Sequence, residues 1–134
     1  MRILLPLFIF ISFNLNAQQV SEQELIGEWK PVKLVEIKGE IPNEMKEQIN
    51  VMQNAFLKTI FVFRNENKFT FDFPFEEMRL TNGYWKLDSQ TGNISIYEEE
   101  NEKSYFMGIT ASKKDGKMIF MMEETYFAFE VKKE

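Results

Sequence analysis

An all-β domain is predicted for residues 18–134: an eight-stranded antiparallel up-and-down barrel with one α-helix between strands 1 and 2. Three observations predict it. The stretch Lys68-Phe69-Thr70-Phe71-Asp72-Phe73-Pro74-Phe75 alternates with period two, which puts four phenylalanines on one face of a strand. Turn signals then recur in sequence, with Asp115-Gly116 the strongest because that pair tolerates positive φ. Only one segment after the N-terminus repeats its apolar residues at helical spacing.

The elements are read in order. Met1 and Arg2 precede an apolar run from Ile3 to Phe13, followed by Asn14-Leu15-Asn16-Ala17. A positive start, a short hydrophobic stretch and a small residue make a secretory signal peptide over 1–17, removed from the fold by cleavage. The run is too short to cross a bilayer, which takes about 20 residues. Strand 1 is expected over 28–37. A helix is expected over 42–57, because Ile41, Met45, Ile49, Met52 and Phe56 fall on one helical face. Pro42 suits the first turn, and Glu44 suits the positive end of the helix dipole. Strands follow over 59–64, 68–75, 83–88, 93–98, 103–111, 117–122 and 125–131. Sequential hairpins of this kind favour closure, since a barrel has no exposed edge.

Composition narrows the function. The chain of 134 residues has no cysteine and no histidine. Disulfides, thiolate metal sites and cysteine nucleophiles are therefore excluded, and the commonest general base and metal ligand are missing. No catalytic residue, metal ligand or cofactor is nominated, and enzymatic activity is not expected. The formal net charge is −5, with acids and lysines interspersed, which disfavours nucleic acid and anionic lipid as partners. With no cysteine to accept a lipid, no stable membrane anchor is expected. The localisation expected is periplasmic or secreted.

The opening Leu25-Ile26-Gly27-Glu28-Trp29-Lys30 places Gly-x-Trp at the start of the first strand, and Gly83-Tyr84-Trp85 repeats the phrase in a middle strand. With Ile60-Phe61-Val62-Phe63 and Lys68-Phe69-Thr70-Phe71 between them, residues 18–134 resemble the lipocalin superfamily, and more closely its small bacterial lipocalin-like envelope proteins. The resemblance implies a barrel that binds a small hydrophobic molecule. In lipocalins the first-strand tryptophan packs on an arginine near the end of the last strand; here Lys132 and Lys133 stand there. Classical lipocalins also add a C-terminal helix, whereas this sequence ends at Glu134 just after its last strand. The helix between strands 1 and 2 is similar in position to those capping the barrel of fatty-acid-binding proteins.

The residues nominated for a ligand wall are Trp29, Met52, Phe56, Phe71, Phe73, Trp85, Met107, Phe120 and Phe129. Two arrangements stay open. The aromatic residues line a cavity, or they fill the interior, which for eight strands is only just wide enough for side chains. Of 14 phenylalanines and 8 methionines, only Phe8, Phe10, Phe13 and Met1 precede residue 18, so bulk enough to fill the barrel is present. In the filled case the function lies on the outer surface, on the helix or at the outward-facing Ile119 and Met121, and the partner is another envelope protein. Monomer and homodimer are both open. The helix is expected to cover the outer face of Met118-Ile119-Phe120-Met121-Met122, since monomers seldom leave apolar patches bare. The acids Glu98, Glu99, Glu100 and Glu102 match no calcium loop and are expected to face water. Glu76 and Glu123 form a conceivable acid/base pair that no spacing brings together. Tyr84, Tyr105 and Tyr126 are expected to cap the barrel with their hydroxyls in water.

Overall fold

A computed structural model describes residues 19–37, 39–125 and 127–134. The expected leader over 1–17 lies outside them, as does Tyr126. Eight strands close into one barrel in chain order: β1 (Gly27–Ile37), β2 (Ile60–Phe63), β3 (Lys68–Asp72), β4 (Leu80–Asp88), β5 (Asn93–Glu99), β6 (Lys103–Lys114), β7 (Lys117–Met122) and β8 (Phe127–Lys133). Every neighbouring pair is antiparallel, and β8 returns to β1 from Trp29 opposite Lys133 to Ile37 opposite Phe127. This is the predicted class.

Side-chain alternation builds the interior. Phe61 and Phe63, Phe69 and Phe71, Ile94 and Ile96, then Phe127 and Phe129 point inward from their strands and are buried. β1 departs from the rule. Bulges fall between Pro31 and Lys33 and between Leu34 and Glu36. Proline has no N–H for the ladder, and a bulge leaves one residue unpaired and bends the strand. The phase slips after Val32, so Leu34 packs toward the core and Val35 is exposed.

Several boundaries differ from expectation for local reasons. β3 stops at Asp72, because Pro74 offers no donor and the chain enters a 3-10 turn at Glu76–Met78. β4 starts at Leu80, whose partner across the ladder is Phe71. β6 runs on to Lys114. Helix formation after Pro42 begins as a 3-10 turn at Asn43–Met45. The α-helix proper covers Lys46–Leu57.

A short helix, α1 (Glu22–Leu25), was not expected. Ser21 and Glu24 form a capping box: the Ser21 Oγ accepts from the Glu24 N–H at 3.3 Å, and the Glu24 carboxylate accepts from the Ser21 N–H at 3.1 Å. We call the Lys46–Leu57 helix α2.

The up-and-down order separates two ends. α1, the starts of β1 and β3, and the turns at 64–67, 89–92 and 115–116 lie at one end. α2 and the connections at 73–79, 100–102 and 123–125 lie at the other, which we call the mouth. α2 does not lie on the outer face of β7, contrary to expectation. Its neighbours are on β1, and its Phe56 enters the barrel, with ring centroids 5.1 Å from Phe73 and 5.6 Å from Phe129. The physical reason is area: the mouth offers a ring of phenylalanines to an apolar stripe, while Ile119 and Met121 are already half-buried on the wall.

Candidate ligand site at the barrel mouth

The closed end is latched by Trp29. Its indole N–H donates to the Leu25 carbonyl at 2.8 Å, and the Lys133 ammonium stands 5.2 Å from its ring centroid. Of the two lysines at the end of β8, Lys133 makes this cation–π contact. Gly27 has φ +139, and a Cβ there would come within 3.1 Å of the Lys133 stem. The glycine of Gly-x-Trp therefore leaves room for the lysine that crosses to the tryptophan. Trp85 belongs to the same half: its N–H donates to the Arg64 carbonyl at 3.0 Å, and its ring meets Phe63 edge-on at 5.2 Å.

Above the latch the barrel is packed with aromatic rings. Phe120 lies 5.6 Å from both Trp29 and Phe61, and Phe61 lies 5.4 Å from Phe71. Phe71 stacks on Phe73 at 5.0 Å with 21° between the planes. These spacings are those of rings in direct contact. The nominated wall residues Trp29, Phe73, Trp85, Phe120 and Phe129 thus sit within a filled core, packed against one another. Met52 is half-buried against that core from α2.

The remaining nominated residues, Phe56, Phe71 and Met107, meet at a cleft of about 210 Å³ beside α2 at the mouth. Met78, Phe106 and Met122 complete its apolar wall, and Glu77, Glu124 and Thr125 stand on its rim. It is smaller than the roughly 300–1,000 Å³ of drug-sized sites. Its methionines are unbranched and adapt to the shape of what they touch.

The rim is organised by the β7–β8 turn folding back on β6. The Glu124 carboxylate accepts from the Gly108 N–H at 2.8 Å and from the Tyr105 hydroxyl at 2.7 Å. The Glu123 carboxylate accepts from the Thr110 hydroxyl at 3.0 Å. Partial burial raises the Tyr105 phenol pKa well above its ordinary value, and the hydrogen bond to Glu124 adds to the rise.

Other candidates resolve as local structure. Glu99 accepts from the Ser104 hydroxyl at 2.6 Å, Glu100 from the Tyr84 hydroxyl at 3.2 Å, and Glu102 pairs with Lys86 at 3.0 Å. Among the described residues, no group of acids is disposed to hold a metal ion. Glu76 and Glu123 are both exposed.

Sequence reasoning missed Phe106, Met78, Met122 and the rim acids. Tyr105-Phe106-Met107 are three large residues in a row, so period two assigns no phase there. Met78 lies in a turn, where no periodicity exists to read. The architecture is compatible with a lipocalin-like fold. The chain matches no protein-family model, no curated protein and no solved structure.

Proposed function

We propose that this is an exported, non-enzymatic binding protein of the lipocalin-like type, which holds a small hydrophobic molecule at the mouth of its barrel rather than in its depth. The carrying observation is the apolar cleft of Phe56, Phe71, Met78, Phe106, Met107 and Met122, beside the helix that closes the mouth. The depth of the barrel is occupied by rings, so a ligand there would have to displace packed phenylalanines. At the mouth it displaces only water and shifts methionines, and burial of its apolar surface supplies roughly 25 cal/mol per Å². The Lys133–Trp29 contact supports the lipocalin-like reading, and the pattern of residues 1–17 supports export.

The test uses a neutral environment-sensitive dye, N-phenyl-1-naphthylamine, titrated into the protein produced from the full chain. Saturable binding is expected, and Met107→Gln should weaken it about ten-fold by adding a polar amide to the wall, a cost of roughly 1–2 kcal/mol. No binding, or equal binding by both proteins, would refute the reading. Export predicts a purified chain that begins at Gln18 by intact mass.

A second reading is an interaction protein. Val32, Val35 and Ile37 on β1 and Val51 on α2 are exposed, at 48%, 43%, 38% and 55%. The sequence expectation placed the outer surface on the helix or at Ile119 and Met121; Val51 lies on that helix, and the exposed β1 residues were not anticipated. A concentration-dependent dimer, abolished by Val35→Lys, would favour it over the binding reading.

A further inference from the structure

We propose that the mouth cleft is selective for a cationic amphiphile, an apolar stem ending in an ammonium group, over a fatty-acid-like anion. The inference rests on the mouth-binding reading and assigns the charge of the ligand's head.

The cleft's rim carries two carboxylates, Glu77 and Glu124, and no lysine or arginine lines it. Among the described residues, neither acid forms an ion pair. Among the described residues, the donors to Glu124 are neutral: the Gly108 N–H and the Tyr105 hydroxyl. These bonds fix where its charge lies without cancelling it. Glu123, bound by the Thr110 hydroxyl, adds a further charge beside the same strand. Gly108 makes that crowding feasible, since a Cβ there would stand 2.6 Å from the Tyr105 hydroxyl oxygen and 2.9 Å from the Glu123 carboxyl carbon.

Five acids among the described residues find cations: Glu130 with Lys33 and Lys117, Glu102 with Lys86, Glu24 with Lys113, Asp72 with Arg79 and Glu134 with Lys30. What distinguishes Glu77 and Glu124 is their place: among the described residues they are the two acids that line the apolar cleft. An ammonium head at the rim would meet Glu124 and Glu77, beside a wall that includes the aromatic side chains Phe56 and Phe106. An anionic head would meet the same charges as repulsion. Charge contacts at the water boundary are worth about a factor of ten in affinity or more.

The test is competition against bound N-phenyl-1-naphthylamine by three molecules sharing one dodecyl stem: dodecyltrimethylammonium, dodecanol and dodecanoate. All are used below their micellar concentrations, on protein whose near-ultraviolet circular dichroism stays native. The ammonium compound is expected to compete at least ten-fold more strongly than dodecanoate, with dodecanol between them. The gap should narrow in Glu124→Gln and in Glu77→Gln, and in high salt, which screens rim charges. Glutamine at 124 keeps an acceptor for Gly108, and position 77 is exposed, so each variant guards against misfolding of the other. Dodecanoate competing as well as the ammonium compound would overturn the charge assignment and leave the binding reading standing. A gap unchanged in both variants would likewise overturn it. Failure of the dye and of all three competitors to bind would overturn both.

Discussion

Phe56 is the side chain by which α2 closes the barrel, and Phe56→Ala measures that closure. It is 3% exposed, and its ring centroid lies 5.1–6.3 Å from those of Phe71, Phe73, Phe127 and Phe129. Removing the ring forfeits about 150 Å² of buried apolar surface, or about 4 kcal/mol at about 25 cal/mol per Å². Phe→Ala substitutions in cores cost about 3–5 kcal/mol. The site borders the mouth cleft, so water can fill part of the space, and a loss of about 3 kcal/mol is expected. Urea unfolding followed by the fluorescence of Trp29 and Trp85 is the assay, since both indoles are buried in the closed half. The midpoint should fall with the slope unchanged, because the slope tracks the surface exposed on unfolding. Val51→Ala is the control: Val51 is 55% exposed on the same helix and should move stability by less than about 0.5 kcal/mol. A loss below about 1 kcal/mol at Phe56 would refute the reasoning that α2 is held by its ring. A large loss with a clearly smaller slope would also refute it, showing α2 undocked before unfolding.

Three further outcomes are expected. Lys133→Ala should cost about 0.5–1 kcal/mol in urea unfolding through loss of the contact with Trp29, and Lys133→Arg should preserve stability, since a guanidinium stacks on the same ring. Ser21→Ala should cost about 1 kcal/mol by opening the capping box of α1, and it should leave the dye affinity of the distant mouth unchanged. Glu24 has its pKa lowered from 4.5, first by the hydrogen bond to Lys113. It therefore binds fewer protons folded than unfolded, and its stabilisation is complete above about pH 4.5 and lost as pH falls below. The pair is a third exposed on each side, so water and salt screen it to within about 1 kcal/mol. Unfolding free energies at pH 7 and pH 3 should accordingly differ less in Glu24→Gln than in the parent; an identical pH dependence would refute the assignment.

Much of the wall was legible because period two is a local property. Phe69 and Phe71 sit inside while Lys68 and Asp72 sit outside, as alternation requires. The failures have equally local causes. Pro74 ends β3 early, since it has no N–H to donate. The bulge after Pro31 shifts the phase of β1 and turns Val35 outward against the alternation, and the Tyr105-Phe106-Met107 run conceals which face of β6 enters the cleft. α1 is only 4 residues long, too short for any periodicity, yet Ser21-x-x-Glu24 was a readable signal for it. The candidate site was legible only in part. Phe56, Phe71 and Met107 were nominated as wall, but the acids of the rim come from turns, whose residues carry no periodic message.

The amino-acid sequence by itself determined the strands, their antiparallel succession, the helix and the absence of histidine and cysteine chemistry. Each of these depends on residue type or on spacing within one segment. Tertiary structure alone decided that the rings fill the barrel, that α2 caps its mouth instead of its flank, and that Glu77 and Glu124 stand beside one apolar cleft. Those outcomes depend on which surfaces meet when β8 closes on β1. An amphipathic stripe specifies only that apolar surface must be covered, and the choice of surface falls to whichever burial removes the most of it from water.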